Sequence, residues 1–111
     1  KREELKDKER RCRAMAATFT VRSTSGDITA REMKTGMESI RQKIEALFNS
    51  EGASGELVVR VTMDKNGGVK KVEVIRNNTG NTKIEKSLTR LLKKQLTNLA
   101  GGEAVVSITF N

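Results

Sequence analysis

The residue types best suited to ligand chemistry lie in residues 61–74, VTMDKNGGVKKVEV, where adjacent glycines stand among lysines. Glycine-rich loops bind phosphate through their backbone amides when a Lys-Ser/Thr pair and a helix follow them. Here Val69 and a valine-rich run follow Gly67 and Gly68. The dinucleotide-binding pattern fails as well, because its spacing and its helix are both missing. We therefore interpret the stretch as a turn between two strands and predict no phosphate-bearing cofactor.

Acid–base and metal chemistry have few candidate residues. The 111-residue chain has no His and a single Cys, Cys12. His is the side chain that usually titrates near neutral pH, and it is the commonest metal ligand. A lone Cys forms neither an intrachain disulfide nor a cysteine-based zinc site. No spacing of nucleophile and base stands out among the Ser, Thr, Asp and Glu residues. We expect a protein that is not an enzyme, with no catalytic residue, no metal and no cofactor.

The excess of basic residues raises the hypothesis of nucleic-acid binding, since the formal net charge is +8. The candidate basic surface on the predicted hairpin comprises Arg60, Lys70, Lys71 and Arg76. Charged side chains on the exposed face of a hairpin are ordinarily solvated. The sequence also offers little for base stacking, because its only aromatic residues are three phenylalanines. A basic nucleic-acid-binding module therefore stays an alternative to protein binding.

Apolar periodicity predicts two amphipathic helices. In residues 27–48, Met and Ile recur at intervals of three and four, and a second stripe runs over residues 84–99. A Thr followed three residues later by Glu is typical of a helix start, where each side chain bonds the other's backbone amide. Two such capping boxes are predicted: Thr29 with Glu32, and Thr82 with Glu85.

Alternation of apolar and polar residues predicts the strands. Residues 56–63 and 69–76 form an antiparallel hairpin around Asn66-Gly67, a dipeptide that favours positive φ. Residues 103–110 form a terminal strand, and residues 18–26, TFTVRSTSG, suggest a further short strand. The order helix, strand, strand, helix, strand predicts an α+β fold, a two-layer sandwich with helices on one face of an antiparallel sheet.

Length and composition indicate one domain, over residues 26–111, preceded by an extension over residues 1–25. Opposite charges spaced four apart predict a solvated, charged helix in residues 1–17. The sequence begins with Lys1 rather than Met. We therefore expect a fragment or a processed form, with any membrane anchor upstream of it.

The terminal strand is the candidate partner-binding element. If it lies at the edge of the sheet, its unpaired backbone groups can pair with an extended peptide. The alternative is a strand that only completes the sheet, covered by residues 18–23. A third interpretation is a dimerisation domain whose terminal strands pair between two copies. The candidate edge comprises Val105, Val106, Ser107, Ile108, Thr109 and Phe110.

This arrangement resembles the TonB C-terminal-domain family, and most of all its AgmX/PglI C-terminal-domain branch from bacterial envelope and gliding-motility proteins. The shared pattern is a glycine, an alternating strand, a polar DxxG turn, a second strand, a polar loop, a helix, a Gly-rich turn and a terminal strand. The helix within residues 27–48 also matches, so the resemblance covers residues 26–111. The matching positions are Gly55, 57–63, 64–68, Val69, 72–75, 84–99 and 105–110.

The resemblance implies a periplasmic interaction domain that is tethered to the inner membrane and transmits force in transport or gliding motility. TonB domains bind an extended segment of an outer-membrane protein by strand addition at their terminal strand, which corresponds here to residues 105–110. The chain contains no Tyr and no Pro, so it lacks the Tyr-Pro signature of members that bind transporters. The implied partner is an extended segment of an envelope or outer-membrane protein, with no small-molecule substrate.

Overall fold

The computed structural model describes residues 16–110. Residues 1–15 of the charged helix predicted for residues 1–17, including Cys12, lie outside this range. Ala17, the last residue of that prediction, belongs to a strand. The elements, in chain order, are β1 (Ala17–Gly26), α1 (Ala30–Ser39), α2 (Arg41–Glu51), β2 (Gly55–Met63), β3 (Val69–Asn77), α3 (Lys83–Gln95) and β4 (Gly102–Phe110).

The four strands form one antiparallel sheet in the order β1-β4-β2-β3. The predicted α+β class and antiparallel sheet are confirmed. β1 pairs with β4 over its whole length, from Ala17 opposite Phe110 to Gly26 opposite Gly102. A domain boundary between residues 25 and 26 therefore falls inside a strand, and the short strand suggested near the N-terminus is an integral part of the sheet.

β4 lies inside the sheet, so the prediction that residues 105–110 form an exposed edge is wrong. Ile108 stands opposite Phe19 of β1 on one side and opposite Leu57 of β2 on the other. The backbone groups that strand addition requires are thus already used by two neighbouring strands. The alternative, in which residues 18–23 cover this strand, is the arrangement that the structure shows.

The first predicted helix is two helices, α1 and α2, which meet at Ile40. The backbone of Ile40 (φ −114°, ψ 16°) leaves the helical range, and its amide donates to the carbonyl of Met37 at 3.2 Å. The Ser39 hydroxyl donates to the carbonyl of Gly36 at 2.6 Å. The apolar stripe nevertheless stays in the core on both sides of the break, since Met33, Met37, Ile40 and Ile44 are all buried.

Only one half of the first capping box forms. The Thr29 hydroxyl accepts a hydrogen bond from the Glu32 amide at 3.1 Å, as predicted. The Glu32 carboxylate does not return to Thr29 but accepts from the Ala100 amide at 2.6 Å. Glu32 thereby ties the start of α1 to the segment that leads into β4, a long-range contact that local sequence spacing does not reveal.

The second predicted helix corresponds to α3. It ends earlier than predicted, and a different residue caps its start. Thr82 makes no side-chain capping bond; the carboxamide oxygen of Asn81 instead accepts the amide of the first helical residue at 2.8 Å. The helix ends at Gln95, and Leu96 is extended with ψ 114°. Leu96 and Leu99 are still buried, which explains why the apolar pattern appeared to continue beyond the helix.

The predicted hairpin is confirmed, with residues 64–68 as its five-residue turn. The Asp64 amide donates to the Gly68 carbonyl at 2.9 Å. One oxygen of the Asp64 carboxylate accepts the amides of Asn66 and Gly68 at 2.9 and 3.1 Å. Gly67 has φ 89°, whereas Asn66 does not have positive φ. The Asp side chain therefore organises this turn, and the amides of Asn66, Gly67 and Gly68 bond within the protein.

One apolar core joins alternate residues of the strands to the buried faces of the three helices. The rings of Phe48 in α2 and Phe110 in β4 lie 5.2 Å apart between their centroids. Sheet residues of this core include Phe19, Leu57, Val59, Val61, Val106, Ile108 and Phe110, and helix residues include Met33, Met37, Ile44, Phe48, Ile84, Leu88 and Leu92.

Both edge strands carry β-bulges, where the register skips one residue. The extra residue is Arg22 in β1, and Lys70 and Ile75 in β3. A bulge bends and twists its strand and interrupts regular pairing, and natural sheets use bulges to protect their edges. In β3 the two bulges leave only residues 71–74 as a regular stretch.

Candidate strand-addition site

Residues 105–110, the candidate edge from the sequence, offer no free backbone edge. Their backbones pair on both sides, and four of these side chains are buried, including Ser107 with 4% of its surface exposed. The Ser107 hydroxyl donates to the Glu56 carboxylate at 2.7 Å. This strand therefore supports the sheet instead of presenting groups to a partner.

The candidate basic surface is only partly formed. Arg60 is neutralised by two carboxylates, with its Nη1 3.1 Å from Glu73 and its Nε 3.3 Å from Glu103. Lys70 occupies a bulge and borders the Asp64 turn. Lys71 and Arg76 are exposed on β3. Glu73 lies between them along the strand and pairs with Arg60, so carboxylates interrupt the cationic surface.

A groove lies between the outer edge of β3 and helix α3. Its volume is about 500 Å³. No other strand of residues 16–110 pairs with β3 on this side, so the outward-facing backbone groups of the regular stretch 71–74 are available. The groove is lined by Val72, Glu73 and Val74 of β3 and by Glu85, Lys86, Thr89 and Arg90 of α3.

The inner part of this groove combines apolar side chains with polar groups that already have partners. Val72 and Val74 pack against the core but remain half-buried, because no further strand covers them. The Thr89 hydroxyl donates to the Glu85 carbonyl at 2.7 Å. The Glu85 carboxylate accepts from the Asn77 amide group at 2.8 Å. An apolar side chain entering here would bury surface without leaving these polar groups unpaired.

The outer rim of the groove is cationic. Lys86 and Arg90 are exposed and lie one turn apart on α3. Within residues 16–110, neither forms an ion pair, whereas the nearby Glu73 is held by Arg60. The groove thus offers a backbone edge, an apolar interior and two cations that form no ion pair within the described chain.

The opposite edge of the sheet has a comparable but less regular groove. It is lined by Phe19, Thr20, Val21, Ala30, Arg31 and Lys34. The bulge at Arg22 lies next to it, in the middle of β1. β1 also begins directly after the residues that the structure does not describe, whereas both ends of β3 are described. The β3 edge is therefore the better-defined candidate.

Comparison with known proteins gives no family assignment. No protein-family model, curated protein or solved structure matches this chain. The likeness to TonB C-terminal domains consequently depends on the order of motifs in the sequence, and the groove has to be interpreted from its own geometry.

Residues 16–110 contain no cluster of three or more His, Cys, Asp or Glu side chains placed to hold a metal ion. No helix in the same range is both long enough and apolar enough to cross a membrane.

A second polar cluster lies on the face of the sheet opposite the core. Glu56 accepts from Ser107 at 2.7 Å and from the Arg22 guanidinium at 3.1 Å. The Ser107 hydrogen bond lowers the pKa of Glu56; partial burial opposes this shift, and the charge of Arg22 adds to the lowering. The cluster links β2, β4 and β1 and explains why a serine is buried in the central strand.

This cluster predicts a pH-dependent contribution to stability. Because the pKa of Glu56 is lower in the folded state, its ionised form stabilises the fold above the unfolded-state pKa. That contribution disappears as the pH falls through the folded-state pKa. The melting-temperature difference between the wild type and Glu56→Gln should therefore shrink as the pH falls from neutrality through the acidic range.

Ser107→Ala supplies the control, with the Glu56 carboxyl followed by carbon-13 NMR during an acid titration. This variant removes the hydroxyl whose hydrogen bond is the largest cause of the lowered pKa. The pKa of Glu56 should therefore rise towards that of an ordinary glutamate. An unchanged titration in this variant would contradict the role given to Ser107.

Proposed function

We propose that this chain is a non-enzymatic protein-interaction domain that binds an extended partner segment by strand addition at the outer edge of β3. The observation that carries the proposal is the stretch 71–74, which pairs with β2 on its inner side, has no strand partner among the described residues on its outer side, and lies beside a groove against α3. Extended peptides that add to a sheet edge bind through main-chain hydrogen bonds and place alternate side chains in pockets. The free outer side of β3 and the adjoining groove support this mode of binding.

The mode of binding follows from the geometry of an antiparallel edge. An incoming segment would pair its backbone with residues 71–74 and direct every second side chain towards α3, where Val74 and Thr89 line the groove. Each main-chain hydrogen bond contributes about 0.5–1.5 kcal/mol net. Bonds loaded side by side share an applied force, so such a contact is suited to transmitting a pull.

The resemblance of residues 26–111 to TonB C-terminal domains extends this proposal to a cellular setting. On that basis the domain works in the periplasm, tethered to the inner membrane through an upstream segment. It would act in energy transduction for transport or gliding motility, with an envelope or outer-membrane protein as the partner. The β3 edge takes the role that the resemblance implied for the terminal strand.

Selection from a displayed library of random twelve-residue peptides tests the proposal. Selected peptides should contain a β-forming core and should shift the backbone amide NMR signals of residues 71–74 and of the adjoining α3 residues. The β1 groove, near Phe19 and Lys34, serves as the internal comparison. If no peptide is selected, or if the shifts map only to β1, strand addition at β3 is wrong.

Proline substitution in β3 should remove this binding in a folded protein. Along an edge strand, successive amides point alternately to the neighbouring strand and to the free edge. Val72→Pro and Glu73→Pro therefore form a matched pair: one disrupts the pairing with β2 and lowers the melting temperature, and the other removes an outward-facing donor without disturbing that pairing. The variant that keeps the wild-type melting temperature should lose the selected peptides; full retention of binding would contradict strand addition.

A further inference from the structure

We propose that the segment bound at the β3 edge is acidic, with carboxylate side chains that pair with Lys86 and Arg90 of α3. This inference rests on the proposed strand addition and names the chemistry of the partner. Two observations support it. The rim cations Lys86 and Arg90 are exposed, and the nearby carboxylates already have other partners.

The carboxylates nearest to the rim are already engaged. Glu85 accepts a hydrogen bond from Asn77 at 2.8 Å, and Glu73 pairs with Arg60 at 3.1 Å. No carboxylate of residues 16–110 forms an ion pair with Lys86 or Arg90, although both line the groove. A ligand carboxylate would therefore meet cations that do not first have to break a contact within the described chain.

The spacing of the two cations suits an extended ligand. Residues four apart on a helix are separated by about 6 Å along its axis. Residues two apart on a strand lie about 6.7 Å apart on the same face. Carboxylates at two alternate positions of a segment can thus reach Lys86 and Arg90 together, while an apolar residue at the next position on the same face enters the interior of the groove.

The groove favours a peptide over a nucleic acid. The described phenylalanines, Phe19, Phe48 and Phe110, are all buried in the core, so none offers a surface on which bases could stack. The valines of β3 and the free backbone edge suit main-chain pairing, which a nucleic acid does not provide. The rim cations then act chiefly in specificity and in the rate of association.

Three synthetic peptides that differ only at two positions on the valine face test the preference: acetylated and amidated TVTDTDT, TVTNTNT and TVTKTKT, each with a fluorescent label. Binding to the domain is measured by fluorescence anisotropy at low and moderate salt. The Asp peptide should bind about tenfold more tightly than the Asn peptide, and the Lys peptide should bind more weakly than both. The advantage of the Asp peptide should diminish as salt increases.

Charge reversal locates the preference. The double variant K86E/R90E should lose the preference for Asp and bind the Lys peptide better than the wild type does. The double variant R31E/K34E, in the groove beside β1, carries the same change in net charge, is the matched control and should leave the preference unchanged. A preference that survives in K86E/R90E, or that disappears equally in R31E/K34E, would overturn the proposal.

The outcomes separate this inference from the function on which it rests. If the three peptides bind equally and the folded β3 proline variant loses them all, strand addition stands and the acidic preference is wrong. If none of the peptides binds, both fail. A twelve-residue oligothymidylate is the competing probe. If it binds, weakens steeply with salt and depends on Lys86 and Arg90 while the peptides show no preference, the rim is a nucleic-acid contact and the inference is overturned.

Discussion

Replacing Phe48 with Ala is expected to lower the free energy of unfolding by about 3–5 kcal/mol. The Phe48 side chain has 0% of its surface exposed and lies against the ring of Phe110, with 5.2 Å between the centroids. The substitution removes the apolar surface of one ring and leaves a cavity between α2 and the central strand. Urea unfolding followed by circular dichroism measures the change.

Ile75→Ala provides the matched apolar truncation at the surface, since Ile75 lies in a bulge of β3 with 48% of its surface exposed. Its effect should stay within about 0.5 kcal/mol of the wild type, as for most surface substitutions. A Phe48→Ala loss no larger than that of the control would show that α2 does not contribute to the core as described.

Gly102→Ala should destabilise the fold by about 3 kcal/mol or more. Gly102 has φ 140°, a conformation that residues with a side chain rarely adopt. A Cβ atom here would collide with the carbonyl oxygen of Ser25 and would lie 3.2 Å from the Cα of Gly26. Both contacts belong to β1, so the substitution would force the ends of β1 and β4 apart.

Gly80→Ala separates the effect of crowding from that of backbone conformation. Gly80 also has positive φ, 73°, but nothing lies within 4 Å of an added Cβ. The Gly80→Ala variant should lose about 1 kcal/mol of unfolding free energy, the cost of a left-handed conformation alone. In a domain of this size, about 1 kcal/mol shifts the melting temperature by roughly 4–8 °C, so thermal unfolding distinguishes the two variants. Equal shifts would contradict the predicted clash.

The sequence predicted those elements whose signals are local. The hairpin around residues 64–68 and both helical segments are where periodicity and turn residues placed them. The break at Ile40 was missed because neither Gly nor Pro stands at that position and the apolar stripe continues through it. The end of α3 at Gln95 was missed for a similar reason, since the buried leucines that follow keep a helical spacing.

The location of the free edge could not be derived from the sequence. An inner strand and an edge strand can show the same alternation, so the position of residues 105–110 depended on which strands paired with them. The bulges at Lys70 and Ile75 arise from the register between β2 and β3. Lys86 and Arg90 look like any solvated helix face in the sequence. Only the packing of α3 beside β3 brings them to a groove.

The inner position of β4 has a consequence for the order in which the domain can assemble. In chain order β4 is the last described strand, yet it alone connects β1 to the β2–β3 hairpin within the sheet. While the polypeptide is being synthesised, β1 has no strand partner among the described residues until residues 102–110 have left the ribosome. Early hairpin formation is possible, because its contacts are local, but closure of the sheet must follow translation of β4. Until then the backbone edge of β1 that pairs with β4 is open to chaperones and to neighbouring chains.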